Sequence, residues 1–375
     1  MTFNRGLAKI LIGVGALTSA LYAAGQNRSG ETVFVMSNNA DGNQVIAFQR
    51  SDDGSFAARD EYDTHGRGSG GVNDPLESQG SLTLSTDHSL LFAVNAGSGS
   101  VTTFQVNRGK LFFADEKPSG GSQPVSVAQW QSLVYVLNSG GAGSVVGFHV
   151  DGNGRLHEIQ NSTAFLSANA TGGSSISISP DGQTLAVVER LANNIDTFHI
   201  NPDGTLTPIV VNSSPGAGAF SARFAPNGEL IVSETGAAGV ANGSAISSYA
   251  VAPNGVLAAV SQSVPTDGSA NCWNAISPDG VHVYVSNAGS STISGFLIGT
   301  GGALTPISGT VVGANPAGST NLDITISGDG KFLFSLNSEV GEVGVFAINS
   351  DGSLTAVQQA EGFPAKAGFN GIAAL

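Results

Sequence analysis

The sequence predicts an all-β, seven-bladed β-propeller built from four-stranded antiparallel blades. Three observations predict it. A short apolar strand closing on a polar residue recurs seven times, at intervals of 43 to 57 residues. The strand that follows it carries an aromatic at a fixed place in every unit. The first unit also lacks a strand that the end of the chain can supply.

The recurring strand reads VFVMSN to Asn38, LFAVN to Asn95, VYVLN to Asn138, LAVVE to Glu189, LIVSE to Glu234, VYVSN to Asn287 and LFSLN to Asn337. After a Gly/Ser-rich turn comes the aromatic strand, with Phe48, Phe104, Phe148, Phe198, Tyr249, Phe296 and Phe346 in register. It runs into Asp53-Gly54, Asp203-Gly204, Asn254-Gly255 or Asp351-Gly352, hairpin turns because both residues tolerate positive φ. A further extended segment such as GTLTPIVV follows. Ahead of the apolar strand lies one more, ending in SPDG at 179–182 and 277–280 and in APNG or SGDG at 225–228 and 327–330. Four strands per unit of about fifty residues make a propeller blade. The first unit starts at its second strand, and Phe369 to Leu375 (FNGIAAL) matches the missing one, so the ring is expected to close without a free edge. A β-solenoid would use shorter rungs, and an array of sandwiches would need linkers that the period does not show. The longest irregular piece, Glu61 to Gln79, is expected to be a rim loop, either a lid or an insertion without a role.

Composition agrees with this. Glycine supplies 52 of 375 residues and charged residues only 11%, which suits short strands and tight turns better than helices. A net charge of −14 with 14 Lys+Arg leaves no basic stripe for nucleic acid or an anionic membrane surface. Arg5 and Lys9 precede an apolar run, Ile10 to Leu21, with no acidic residue before Glu31. That layout reads as a signal peptide over 1–25, cleaved after Gly25, leaving 26–375 as the propeller. The expected product is secreted, extracellular or periplasmic, without a membrane anchor, and a monomer. With Cys272 as the only cysteine, no intrachain disulfide can form. Sequons stand at Asn27, Asn161, Asn169, Asn212 and Asn242.

Equivalent positions of a propeller are expected to converge near the central channel. Asn38, Asn95, Asn138, Asn287 and Asn337 are therefore candidate ligand-binding residues, with turn capping as their alternative role. Glu189 and Glu234, in adjacent units, are candidate catalytic carboxylates. Two held close would perturb each other's protonation and could serve as general acid and base, or could coordinate a divalent cation with the Asn amides. No cofactor is predicted and the metal remains open. Cys272 is either a nucleophile or a buried small hydrophobe. His149 and His199 match in position and suggest a structural role. Gly66, Gly68 and Gly71 spell G-x-G-x-x-G but lack the strand-then-helix context of a dinucleotide site.

The VxN strands, SPDGxxLxVxx, the blade aromatic and DGxLTPI together resemble the seven-bladed propeller lactonase family, from about Thr32 to the chain end. The resemblance implies opening or closing of a lactone ring on a small acid, as in 6-phosphogluconolactonases and carboxymuconate-lactonising enzymes. It implies a small lactone or sugar-acid partner. Family enzymes use a His in HPHxxxxSPDG, an Arg-His pair in PRHxxFxPxG and a Glu closing the next strand. Here Ser174 stands at the first His, while Phe220 and Ser221 stand at the Arg and His. Glu234 matches the Glu, and Glu189 replaces a common Asp. The expected function is a lactonase-like hydrolase acting on a small lactone or ester in the channel, with Glu234 as general base and Glu189 beside it. The alternative is a non-catalytic secreted propeller that binds a ligand, glycan or protein through its rim loops.

Overall fold

The computed structural model describes residues 1, 31–51 and 55–375. The expected signal peptide, the Asn27 sequon and the Asp53-Gly54 turn lie outside them. Seven antiparallel sheets follow one another along the chain, each sequential strand pairing with the next. Blade 2 is representative: Leu82–Leu84, Leu90–Asn95, Ser100–Asn107 and Lys110–Pro118, from the centre outward. The inner strands are Leu82–Leu84, Pro124–Trp130, Gly173–Ile178, Ala219–Phe224, Asn271–Ile276, Asn321–Ile326 and Ile372–Ala374, and successive ones touch round a complete ring. The outer strand of blade 3 is split into Leu156–Glu158 and Ala164–Phe165. The helical content of the described residues is one short turn, Thr300–Gly302.

Blade 1 closes the ring as the sequence expects. Its inner strand Ile372–Ala374 pairs with Thr32–Met36, Val33 opposite Ala374 and Val35 opposite Ile372. Ile372–Ala374 supplies the strand that blade 1 lacks, so among the described residues the inner ring has no unpaired edge. Apolar alternation then fills the space between blades. The aromatic of each third strand is buried, Phe48, Phe104, Phe148, Phe198, Tyr249, Phe296 and Phe346 alike. In blades 1, 2 and 7 the outer strand shifts register beside that ring. Such a bulge re-aims the ring inward and increases local twist.

The SPDG turns owe their form to side-chain chemistry. Ser179 Oγ donates to Asp181 Oδ1 at 2.5 Å, which accepts the Gln183 amide at 3.0 Å, while Gly182 takes φ +73°. Ser277 with Asp279 and Ser327 with Asp329 repeat it, with Gly280 and Gly330 at +72° and +73°. These turns ring one mouth of the channel. The loops that cross from blade to blade ring the other.

Candidate functional site

Glu189, Glu234, Asn95, Asn138, Asn287 and Asn337 each close the second strand of their blade, a strand away from the channel wall. Asn38 departs from them: its strand, Thr32–Met36, ends two residues earlier and Asn38 takes φ +50°. All seven are fully buried. Each holds the loop arriving from the preceding blade. Asn95 Oδ1 accepts Thr64 Oγ1 at 2.7 Å, Asn138 Nδ2 donates to Ser119 O at 3.2 Å, and Asn337 Nδ2 donates to Asn315 Oδ1 at 3.0 Å. Asn38 reaches Gly368 O at 3.5 Å, and Asn287 binds Ser294, whose hydroxyl donates to Thr266 O. A loop glycine lies directly on the side chain in four blades: Gly66 on Asn95, Gly121 on Asn138, Gly216 on Glu234 and Gly268 on Asn287. A Cβ at any of them would come within 2.6 Å.

The glutamates follow the same plan. Glu189 Oε1 accepts the Ser167 amide at 2.7 Å, and its other oxygen accepts the Ser167 hydroxyl. Glu234 Oε1 accepts Ser247 Oγ at 2.6 Å and Ser214 Oγ at 3.2 Å, while Oε2 has no hydrogen-bond partner. Burial raises the Glu234 carboxyl above the usual range, against the hydroxyls that lower it. Among the described residues no hydrogen bond joins Glu189 to Glu234. Glu189 instead faces Asp196 of its own blade, whose carboxyl is pushed up to about 8 by burial and by Glu189.

The channel mouth on this side is closed. The loop leading into blade 2, part of the irregular piece expected to be a rim loop, crosses it. Ser78 Oγ donates to Val125 O at 2.9 Å in blade 3, and Trp273 Nε1 of blade 6 donates to Ser78 O at 2.8 Å. The Gln79 amide donates to Ser174 O of blade 4 at 2.9 Å. Gln79 Nε2 donates to Asn274 O of blade 6 and Asp323 Oδ1 of blade 7, both at 2.9 Å. Asp74 accepts Asn370 Nδ2 at 3.0 Å, Glu77 pairs with Arg190, and Phe220 meets the Trp273 ring edge-on at 5.3 Å. Burial pushes Asp74 up to about 7 and the buried Cys272 thiol well above its ordinary value. Its burial suits the role of a small core side chain.

Beyond this plug the channel opens toward the SPDG-type turns as a cavity of about 200 Å³. Leu82, Leu84, Ala275, Ile324, Ile372 and Ala374 contribute to its walls, with Arg223 within and His88 at its mouth. Arg223 and Asp323 are the only charged residues in the seven inner strands. No side-chain hydrogen bond or ion pair of Arg223 occurs among the described residues, although its charge lowers Asp323. Asp323 is buried; Gln79 and the Ile324 amide occupy Oδ1, and Oδ2 has no partner. Burial, offset chiefly by Arg223, places its carboxyl at about 6. Charges inside otherwise uncharged inner strands are the signal by which Arg223 and Asp323 could have been found from sequence. Nothing local marks Gln79, whose partners lie 195 and 244 residues away.

Among the described residues no group of three or more His, Cys, Asp or Glu is placed to hold a metal ion, and no helix is long and apolar enough to cross a membrane. The family model "Lactonase, 7-bladed beta-propeller" matches residues 131–270 and 274–367. A 6-phosphogluconolactonase of Enterobacter sp. is 28% identical over 250 residues, covering 64% of this chain and 71% of the relative. One from Cronobacter sakazakii is 25% identical over 309 residues, covering 75% and 88%. The solved structure of the Pseudomonas aeruginosa periplasmic gluconolactonase superposes with a TM-score of 0.64 at 20% identity, over 90% of this chain and 98% of that one. At that identity the likeness speaks for the fold alone.

Proposed function

We propose, since the chain belongs to the lactonase family of seven-bladed β-propellers, that it is a hydrolase opening a small lactone or ester in the central channel, with Asp323 as general base. The observation that carries this reading is Asp323 itself: a buried inner-strand carboxyl beside the plug, with Oδ1 on Gln79 and the Ile324 amide, Oδ2 buried without a side-chain partner, and a value of about 6. Such a group is ionised at neutral pH and basic enough to take a proton from water. The water oxygen bonds to the carbonyl carbon as Asp323 accepts its proton. Arg223 faces the oxyanion that forms. Collapse breaks the ring C–O bond, and the proton passes from Asp323 to the departing oxygen, giving a hydroxy acid. The substrate names of the relatives, gluconolactone and 6-phosphogluconolactone, define the class to assay. With it we carry export directed by residues 1–25.

The test is hydrolysis of both lactones across pH by wild type, Asp323→Asn and Glu234→Gln. Asp323→Asn is expected to lose at least about 100-fold in kcat/KM, the usual worth of a general base. Wild-type activity should fall below about pH 6, as Asp323 takes up its proton. Loss in Glu234→Gln with retention in Asp323→Asn would move the base to the rim, the role the family pattern implies for Glu234. A second reading, a propeller that binds without chemistry, is favoured by Ser174, Phe220 and Ser221 standing where family enzymes keep His, Arg and His. Its signature is no turnover of any lactone by wild type.

A further inference from the structure

His88 breaks the rule of the turns that ring the open mouth. In blade 2 the turn is Ser85-Thr86-Asp87-His88, and its hydrogen bonds are the familiar ones. Ser85 Oγ donates to Asp87 Oδ1 at 2.7 Å, and the His88 amide donates to Ser85 O at 2.9 Å. His88 therefore sits where blades 4, 6 and 7 place Gly182, Gly280 and Gly330, and it adopts their left-handed conformation at φ +58°. A side chain there carries strain of order 1 kcal/mol that glycine would avoid.

The surroundings accommodate the imidazole. The ring of His88 reaches Gly328 of blade 7, the position at which SPDG turns carry proline. A Cβ on Gly328 would lie 3.0 Å from His88 Cε1 and 3.5 Å from Leu375 C. Gly328 has no positive φ to explain it. Two departures from the repeat thus meet in space, one adding a ring at the cavity mouth and one making room for it. Neither ring nitrogen has a hydrogen-bond partner among the described residues, so no side-chain hydrogen bond offsets the strain.

We infer that His88 is a specificity-determining residue that hydrogen-bonds, at the mouth of the cavity, the hydroxylated acid or lactone whose other end lies toward Arg223. The inference rests on the channel being the ligand site of the proposed function. It also makes the turn-ringed face the entrance, since the plug closes the opposite one.

The experiment compares wild type, His88→Gly and His88→Asn in three measurements: Tm, KM and kcat for gluconolactone, and the Kd of sodium gluconate by calorimetry. Glycine restores the turn's own residue, and asparagine tolerates positive φ while keeping a hydrogen-bonding side chain. The expected result is an unchanged or higher Tm for His88→Gly with KM and Kd raised about fivefold or more, the worth of one ligand hydrogen bond. Kcat should stay near wild type, and His88→Asn should recover part of the affinity. A stable His88→Gly with wild-type KM and Kd overturns the inference. So does a fall in Tm with parallel loss of activity, which would mark His88 as a packing residue against Gly328. If wild type hydrolyses no lactone yet binds gluconate, and His88→Gly weakens that binding, the hydrolase reading fails and this one stands. If wild type neither turns over lactone nor binds gluconate, both fall.

Discussion

The two mouths of the central channel are framed by the same seven inner strands and finished in opposite ways. At the loop end, a segment from one blade reaches four others, and every hydrogen-bonding group of Gln79 finds a partner within 3.4 Å. At the turn end, Arg223 and His88 face a cavity with no partners among the described residues. A buried polar group left unpaired costs free energy, while a pairing contributes only modestly. The end plugged by Gln79 is therefore braced by protein contacts, and the open end is where a ligand can meet unpaired side chains. The strand-end residues that stand out in the sequence lie at the plugged end.

The largest effect should come from removing what both ends share. Deletion of Phe369 to Leu375 takes away the inner strand of blade 1 with buried Phe369 and Ile372. It reopens Thr32–Met36 as an unpaired edge. Thermal unfolding should move down by about 10 °C or more, as expected for losing several kcal/mol in a domain of this size. Retention of the wild-type Tm would mean that the ring does not depend on its closure.

That closure was legible in the sequence, and so were the seven blades, because both rest on patterns of period two and about fifty. The sites were less legible for a physical reason. The strand bearing Asn95 or Glu189 is the most apolar of each blade, hence the most visible, but being most apolar makes it a buried second strand and not the channel wall. Inner strands such as GSSISI carry small polar residues that leave little pattern. Within them Arg223 and Asp323 are the exceptions. His88 is readable once STDH is set beside SPDG, since the matching turns of blades 4 to 7 all end in glycine.

Gln79→Met sharpens the contrast from the closed end. The variant keeps the volume and removes both donors, so Asn274 O and Asp323 Oδ1 each lose the hydrogen bond from Gln79. Destabilisation of about 2–4 kcal/mol is expected from the loss of two buried hydrogen bonds, one of them to a carboxyl, measured by denaturant unfolding. The same change removes a hydrogen bond that lowers Asp323. The acid limb of kcat/KM, or the carboxyl shift of Asp323 followed by NMR, should therefore move to higher pH. Arg223 and Asp74 are the charges that remain in contact with it electrically. An unmoved titration would mean that Gln79 braces the plug without tuning the channel.

The smallest effect tests the staples themselves. In blades 2 and 6 the strand-end amide meets a hydroxyl, Asn95 with Thr102 at 2.9 Å and Asn287 with Ser294 at 2.8 Å. Blade 4 opposes two carboxyls, Glu189 and Asp196, and neither oxygen of Asp196 has another partner. With Asp196 at about 8 in the fold and an ordinary value of 3.8, the native state holds a proton that the unfolded chain releases. That contribution to stability is complete below about pH 4 and is lost as pH rises through about 8. Wild type should therefore be less stable at pH 9 than at pH 6. Asp196→Asn should flatten this slope and gain about 1–2 kcal/mol at the alkaline end, read by urea unfolding at the two pH values. Equal slopes for the two proteins would show that the proton is not shared between Glu189 and Asp196. The blade 4 staple would then be held in some way its sister blades do not use.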